Sequence, residues 1–279
     1  MNPIVSQYFT KIVTGLDENI NLAEAVLHIS YNDYPDMDTT KYLLMLDSMA
    51  SDLASGLANN ASGNMVISHI NKYLFEDQAF SGNWRNFNDP RNSFLNEVLD
   101  RKLGIPISLS LIYIEIAKRL DLSMFGVSFP GHFLVKYKTD ERQFIIDPFS
   151  GGIILEESEL RERLEHFSTD KQSKWDLSKL LQTATNKEII VRMLRNLKYI
   201  YMGIDDHHHA LTVCSLHLLL EPDSIDGIRD RARIYDHLEC YRAASEGFRR
   251  YLALNPQASD YVIIQSRLKD LQYSIDRLH

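Results

Sequence analysis

Cysteine is scarce in this chain: Cys214 and Cys240 are the only two, too few for a disulfide framework or a four-cysteine zinc site. A reducing compartment is the expectation. Long apolar runs are missing as well, since no window supplies the roughly 18 uninterrupted apolar residues of a membrane helix, and the first twenty residues lack the basic and apolar regions of a secretion signal. The expectation is a soluble cytoplasmic protein with no membrane partner. Basic charge is in deficit, with 30 Lys and Arg against 38 Asp and Glu, a net charge of −8 and a pI near 5.7. This argues against nucleic acid as the main partner. Twelve glycines and eight prolines in 279 residues, with 44% hydrophobic and 24% charged residues, exclude collagen-like, low-complexity and wholly disordered chains. At a typical 100–200 residues per domain, the length favours two folded units.

From Asn21 to Leu57 apolar residues recur at helical spacing (Leu22, Val26 and Ile29, then Leu43, Leu46, Met49, Leu53 and Leu57), broken by Tyr34-Pro35-Asp36. That pattern predicts a helical hairpin. Residues 59–64 read as a surface loop, and Met65 to Phe75 resumes the helical pattern. Between Glu76 and Arg91, Gly82, Pro90 and several Asn and Asp residues break any regular element, leaving a loop pinned by Phe80, Trp84 and Phe87. Ile107 to Leu120 is apolar almost all round, and Pro106 stands at the first helical position, where its missing N–H costs nothing. This is the central helix. Met124–Phe129, His132–Tyr137 and Gln143–Asp147 are short runs rich in Val, Ile, Phe and Tyr, separated by Pro130-Gly131 and by the polar stretch Lys138–Arg142. They predict an antiparallel sheet packed on that helix. A charged helix over Glu156–Phe167 follows, and Ser168–Asp176 is the candidate domain boundary.

Downstream, the chain repeats itself. An offset of 34 residues superposes Tyr201 on Tyr235, Ala210 on Ala244, Leu218 on Leu252, Leu220 on Leu254 and Pro222 on Pro256. That period, closed by a turn proline, is the spacing of the tetratricopeptide repeat. Ala210 and Ala244 let paired helices approach, and Leu197, Tyr201, Tyr235 and Phe248 fill the space between them. Leu194 and Ile228 stand where the consensus has tryptophan, and Lys198 and Ala232 where it has glycine. Because a repeat buries its apolar face only by stacking, Asp260–Leu278 is expected to form a closing helix.

Chemistry concentrates between Gly104 and Asp147. Ser108 falls in the first turn of the central helix, His132 opens one predicted strand and Asp147 closes the next. Nucleophile, base and orienting carboxylate on those elements would form a triad. A histidine after Pro-Gly and an aspartate before Pro148 also serve ordinary turns, so spacing alone leaves both readings open.

The string NEVLDRKLGIPISLSLIYIEIAKRLDL, followed by FPGHFLVKY and FIIDPFSGG, resembles the transglutaminase-like domain of the bacterial SirB family. The upstream LAEAVLHISYNDYPDMD and DPRNSFLNEVL and the trailing repeats look like that family too, so the likeness spans residues 15–260. It implies an α+β fold with a papain/transglutaminase-like core, an N-terminal helical region and a C-terminal all-α tetratricopeptide-repeat module. The expected division is 1–60, 61–170 and 177–279. Active members of this fold place a cysteine on the central helix, a histidine on one strand and an aspartate on the next; His132 and Asp147 match the last two. Aligned backwards from Lys118-Arg119-Leu120, the cysteine position falls on Pro106, and no cysteine precedes Cys214. A serine hydroxyl is far less acidic than a thiol, so Ser108, two residues along, would replace it only with shifted geometry.

The resemblance also places Asp89, Arg91, Asn92, Ser93 and Asn96 near the pocket, although on the sequence alone caps and turns account for such residues better. His207-His208-His209 beside Asp205-Asp206 reads as a solvated turn, because sequence-adjacent imidazoles rarely converge on one ion; no metal or cofactor is expected. Cys214 and Cys240 read as packing residues in repeat helices, and Glu115 as a salt-bridge partner at a helix edge. Two functions stay open. One is a cytoplasmic interaction or regulatory protein, a pseudoenzyme whose repeats hold a protein or peptide partner. The other is a hydrolase or acyltransferase acting on peptide amides through Ser108, His132 and Asp147.

Overall fold

The order of elements follows the breaks in the sequence. In a computed structural model describing residues 3–58, 61–165 and 175–277, the first half holds α1 (Pro3–Val13), α2 (Leu22–Ile29), α3 (Thr39–Ala54), α4 (Gly63–Asn71), β1 (Ser81–Gly82), α5 (Leu95–Arg101), β2 (Leu103–Gly104) and α6 (Pro106–Arg119). Next come β3 (Met124–Val127), β4 (Leu134–Lys138), β5 (Gln143–Asp147), β6 (Ile153–Ile154), α7 (Glu157–Glu165) and α8 (Leu177–Leu180). The repeats are α9 (Asn186–Gly203), α10 (His207–Leu220), α11 (Ile225–His237), α12 (Tyr241–Leu254) and α13 (Tyr261–Arg277). Two compact units result, Thr14–Ile190 and a second made of Met1–Val13 with Val191–His279. No helix of the described residues is long and apolar enough to cross a membrane.

In the Thr14–Ile190 unit, side-chain caps set where helices begin. Asn21 accepts from the Glu24 N–H at 3.2 Å to start α2, and Asp38 accepts from the Thr40 N–H at 2.9 Å to start α3. Helix α4 passes into a π-helical turn, Lys72–Asp77, which ends where Ala79 takes a left-handed φ of 57°. Every residue of α6 from Pro106 to Ala117 is buried, as its all-round apolar sequence requires. Glu115 is the exception in kind: at 3% exposure it holds Arg119 at 2.6 Å, and Arg119 also reaches Asp47 at 2.6 Å.

Helix α6 packs on an antiparallel sheet ordered β3-β4-β5-β6, with Val127 opposite Leu134, Val135 opposite Ile146, and Asp147 opposite Ile153. Val127, Leu134 and Ile145 pack with Leu155, Leu160, Leu164 and Leu177, so α7 and α8 seal a core there. Each such side chain contributes on the order of 1.5–3 kcal/mol when fully buried. Tyr113 of α6 donates to Asn71 at 3.1 Å, and Asn71 donates to the Gly152 carbonyl at 2.7 Å. Gly152 has φ 78°, and a Cβ there would lie 2.0 Å from Asn71 Oδ1, so this approach requires glycine.

Three features depart from the expectation. Strand β6 forms, although two residues give no periodic signal. The 76–91 loop contributes β1, which pairs with β2 in parallel, apart from the main sheet. Strand β4 begins at Leu134 rather than His132, because the His132 N–H bonds the Phe129 carbonyl at 3.0 Å and so closes the Pro130-Gly131 turn instead of joining the ladder. The expected boundary at Ser168–Asp176 and the end of the charged helix at Phe167 lie largely outside the described residues, as do Asn59 and Asn60 of the expected loop.

In the other unit, α10, α11, α12 and α13 pack in succession and α1 packs on α10. The 34-residue period is structural as well as sequential. Asp205 and Glu239 take left-handed φ values of 58° and 56°, and the following N–H groups of Asp206 and Cys240 return to the Tyr201 and Tyr235 carbonyls at 2.8 and 2.9 Å. Ala210 and Ala244 are wholly buried, and Phe248, Tyr251, Leu252, Ile264 and Leu271 join one core with Ile228 and Ala232. Cys214 is buried in α10, but Cys240 is exposed at the N-cap of α12, so the packing role expected of it does not hold.

Candidate functional site

Asp147 closes β5 because Pro148 cannot continue the ladder, and its side chain then caps the Pro148–Ser150 turn. The carboxylate is wholly buried and fully used. Oδ1 accepts from the N–H groups of Phe149 and Ser150 at 3.1 and 3.3 Å and lies 2.8 Å from His132 Nε2. Oδ2 accepts from the Ser150 hydroxyl and from Arg163 Nη1 of α7, both at 2.8 Å. Burial alone would raise its pKa, but the hydrogen bond and charge of His132, then Ser150 and Arg163, outweigh burial and bring it down to about 2. His132 reaches Asp147 from the turn, since Gly131 takes φ 66°. It does so outside the strand pairing.

Aromatic rings stand beside this pair. Phe149 lies 5.9 Å from the His132 ring, 4.1 Å from Trp84 and 5.9 Å from Phe87. Trp84 is 67% and Phe87 44% exposed, so these two rings touch Phe149 from the surface, whereas Phe80 is buried. A Cβ on Gly82 would sit 2.6 Å from the Phe149 ring, which explains glycine in β1.

Pro106 occupies N1 of α6, buried and without an N–H. Ser108 is wholly buried; its hydroxyl donates to the Asn92 carbonyl at 2.6 Å and accepts from the Ile105 N–H at 3.0 Å. Its proton is directed at the backbone, and among the described residues no hydrogen bond joins it to His132. Asn92, also buried, donates to the Asn86 carbonyl at 2.7 Å and accepts from Asn83 at 3.0 Å, which holds the 83–87 loop. Asp89 pairs with Arg91 at 2.8 Å and Arg101 at 3.6 Å. Asn96 Oδ1 and Ser93 Oγ are buried and have no hydrogen-bond partner among the described residues.

Sequence reasoning did not single out Arg163, Ser150 or Phe149. Phe149 and Ser150 follow Asp147 directly and could have been found as the turn it caps; Arg163, one charge among many in α7, gave no signal. No cluster of three metal-ligating side chains exists among the described residues. His207 stacks on His237 at 4.5 Å, whereas His209 stacks on Tyr201 at 5.1 Å and bonds Asp206 at 2.7 Å. The Cys214 thiol lies 3.4 Å from the Gly227 carbonyl, and burial pushes its pKa up to about 11.

Residues 40–195 match the transglutaminase-like superfamily, and residues 197–269 match the tetratricopeptide repeat. The chain is 36% identical over 264 residues to the UPF0162 protein of Xylella fastidiosa (strain Temecula1), covering 94% of each chain. To the UPF0162 protein of Vibrio cholerae it is 28% identical over 207 residues, 72% of this chain and 74% of that one. The F-box only protein 21 of Homo sapiens is 30% identical over 186 residues, 63% of this chain and 28% of that protein.

Proposed function

We propose, for a chain that belongs to the transglutaminase-like superfamily and to the UPF0162 family, a cytoplasmic protein-interaction or regulatory role in which the His132–Asp147 pair is a structural remnant of a catalytic site. The repeats hold a protein or peptide partner, and the transglutaminase-like domain carries out no thiol chemistry. Ser108 is the observation that carries this reading: the hydroxyl nearest the expected nucleophile position donates to the Asn92 carbonyl and is wholly buried, so no base activates it. Pro106 adds to it, having neither a nucleophile nor a backbone N–H for an oxyanion. A His–Asp pair that holds a turn stabilises the fold whether or not a nucleophile stands beside it.

The test is amine incorporation and peptide hydrolysis by the purified chain, with and without iodoacetamide, together with labelling by a fluorophosphonate. No turnover and no label on Ser108 are expected. Turnover that survives alkylation and vanishes in Ser108→Ala would replace this reading with a serine hydrolase; turnover lost both on alkylation and in Cys214→Ala/Cys240→Ala would move the chemistry to the repeats. Partner capture from native cytosol by the full chain should persist in His132→Ala and fail in Phe248→Ala, which opens the core of the repeats.

A further inference from the structure

Two lysines and no arginine are buried among the described residues. Lys198 is answered by Asp230, but Lys136, 9% exposed on β4, makes no ion pair or hydrogen bond among those residues. A chain of net charge −8 could readily have supplied a carboxylate. Strand register explains the surroundings. Lys136 stands opposite Phe125 of β3 and Ile145 of β5, and Lys138, two residues on and so on the same face, stands opposite Gln143. Val127, Leu134 and Ile145 of that face belong to the core sealed by α7 and α8, which puts Lys136 at its margin. The stem is what is covered; the ammonium still touches solvent. Burial, then the charge of Lys138, lowers the Lys136 pKa, and no carboxylate offsets them. Lys138 has no ion pair among the described residues either; its ammonium lies 5.2 Å from the centroid of the Phe125 ring, which is 39% exposed.

We propose that Lys136, Lys138 and Phe125 form a binding site for a small-molecule phosphate monoester, its phosphoryl dianion held between the two ammoniums and its organic part laid against the exposed ring. A cation on a buried stem with no partner costs folding free energy, and a ligand anion supplies the partner that the fold withholds. Two ammoniums whose charges already act on each other suit a dianion better than a monoanion. Lysine, a compact point charge with three donors, fits the tetrahedral phosphoryl group, whereas a planar carboxylate matches the fork of arginine. Gln143, exposed and opposite Lys138, adds an amide donor at the same edge. Because Lys136 exposes so little, the group that reaches its ammonium has to be slender. A lone phosphoryl group meets that condition and a broad protein surface does not.

Isothermal titration calorimetry on the full chain at low ionic strength tests this with phenyl phosphate, inorganic phosphate and benzenesulfonate, which keeps the ring but carries a single charge. Saturable binding is expected, tightest for phenyl phosphate and weakest for benzenesulfonate. Lys136→Met should weaken phenyl phosphate at least about tenfold, and Lys118→Met, at an exposed lysine of α6, should bind as wild type does. Phe125→Ala should weaken phenyl phosphate and leave inorganic phosphate unchanged. The urea midpoint of Lys136→Met is expected at or above that of wild type, since Met fills a similar volume with no charge to desolvate, so lost binding there is not lost folding. The proposal is overturned if no ligand saturates, if Lys136→Met binds as wild type does, if benzenesulfonate binds as tightly as phenyl phosphate, or if Phe125→Ala changes nothing. A urea midpoint of Lys136→Met clearly below wild type would overturn it too, by showing that the ammonium is answered within the fold. An end-blocked phosphotyrosine tripeptide that binds about tenfold tighter than phenyl phosphate would replace the small molecule with a phosphorylated protein and sink the occupant proposed.

Discussion

Replacing Asp147 by asparagine removes a buried charge that five donors converge on: His132, Arg163, the Ser150 hydroxyl and the N–H groups of Phe149 and Ser150. Lowering its pKa from 3.8 to about 2 is worth about 2 kcal/mol of folding free energy at neutral pH. The amide also leaves its NH2 group facing donors, so the total expected loss in Asp147→Asn is about 2–4 kcal/mol. The sign follows from the depressed pKa: the stabilisation is complete above the unfolded value near 4 and is lost as pH falls through about 2. Wild type should therefore shed stability between pH 4 and pH 2 that the variant has already lost, and the gap between them should narrow. Both tryptophans, Trp84 and Trp175, lie in the Thr14–Ile190 unit, so urea unfolding followed by tryptophan fluorescence reports that unit separately from the repeats. A gap that is the same at pH 7 and pH 2.5, or one below about 0.5 kcal/mol at pH 7, would refute the electrostatic account of this carboxylate.

Other residues give independent checks. Ser108→Ala strands the Asn92 carbonyl and the Ile105 N–H and should cost about 1–3 kcal/mol in the same urea assay. Gly82→Ala places a methyl 2.6 Å from Phe149 and should shift the emission of Trp84 that rests on that ring while lowering stability; an unchanged spectrum would argue against this packing. Cys240 should react with a disulfide reagent in the native protein and Cys214 only after unfolding, because one thiol is exposed and the other is buried with its pKa near 11. Titrating two fast thiols would contradict the burial of α10. Phe248→Ala should cost about 3–5 kcal/mol and lower the melting temperature followed by helical circular dichroism.

Local and periodic features were legible in the sequence because neighbouring residues cause them. Pro106 followed by an apolar run determined where α6 begins and that it is buried all round. The 34-residue offset determined the repeats, and the structure adds that Asp205 and Glu239, also 34 residues apart, share a left-handed backbone. The order His132, then Asp147 before a proline, marked the two side chains that the fold joins at 2.8 Å. What the sequence withheld depends on contacts between distant residues. Ser108 looked available in the first turn of a helix, yet its hydroxyl is taken by the Asn92 carbonyl, 16 positions earlier and with no signature in either residue. Arg163 reaches Asp147 only because α7 folds back over the sheet. His132 left the strand because its backbone N–H closes a turn. Side-chain type and spacing thus determined which elements form, whereas the partners of each polar group were decided only by tertiary packing, since a buried donor or acceptor bonds whatever the fold brings within about 3 Å of it.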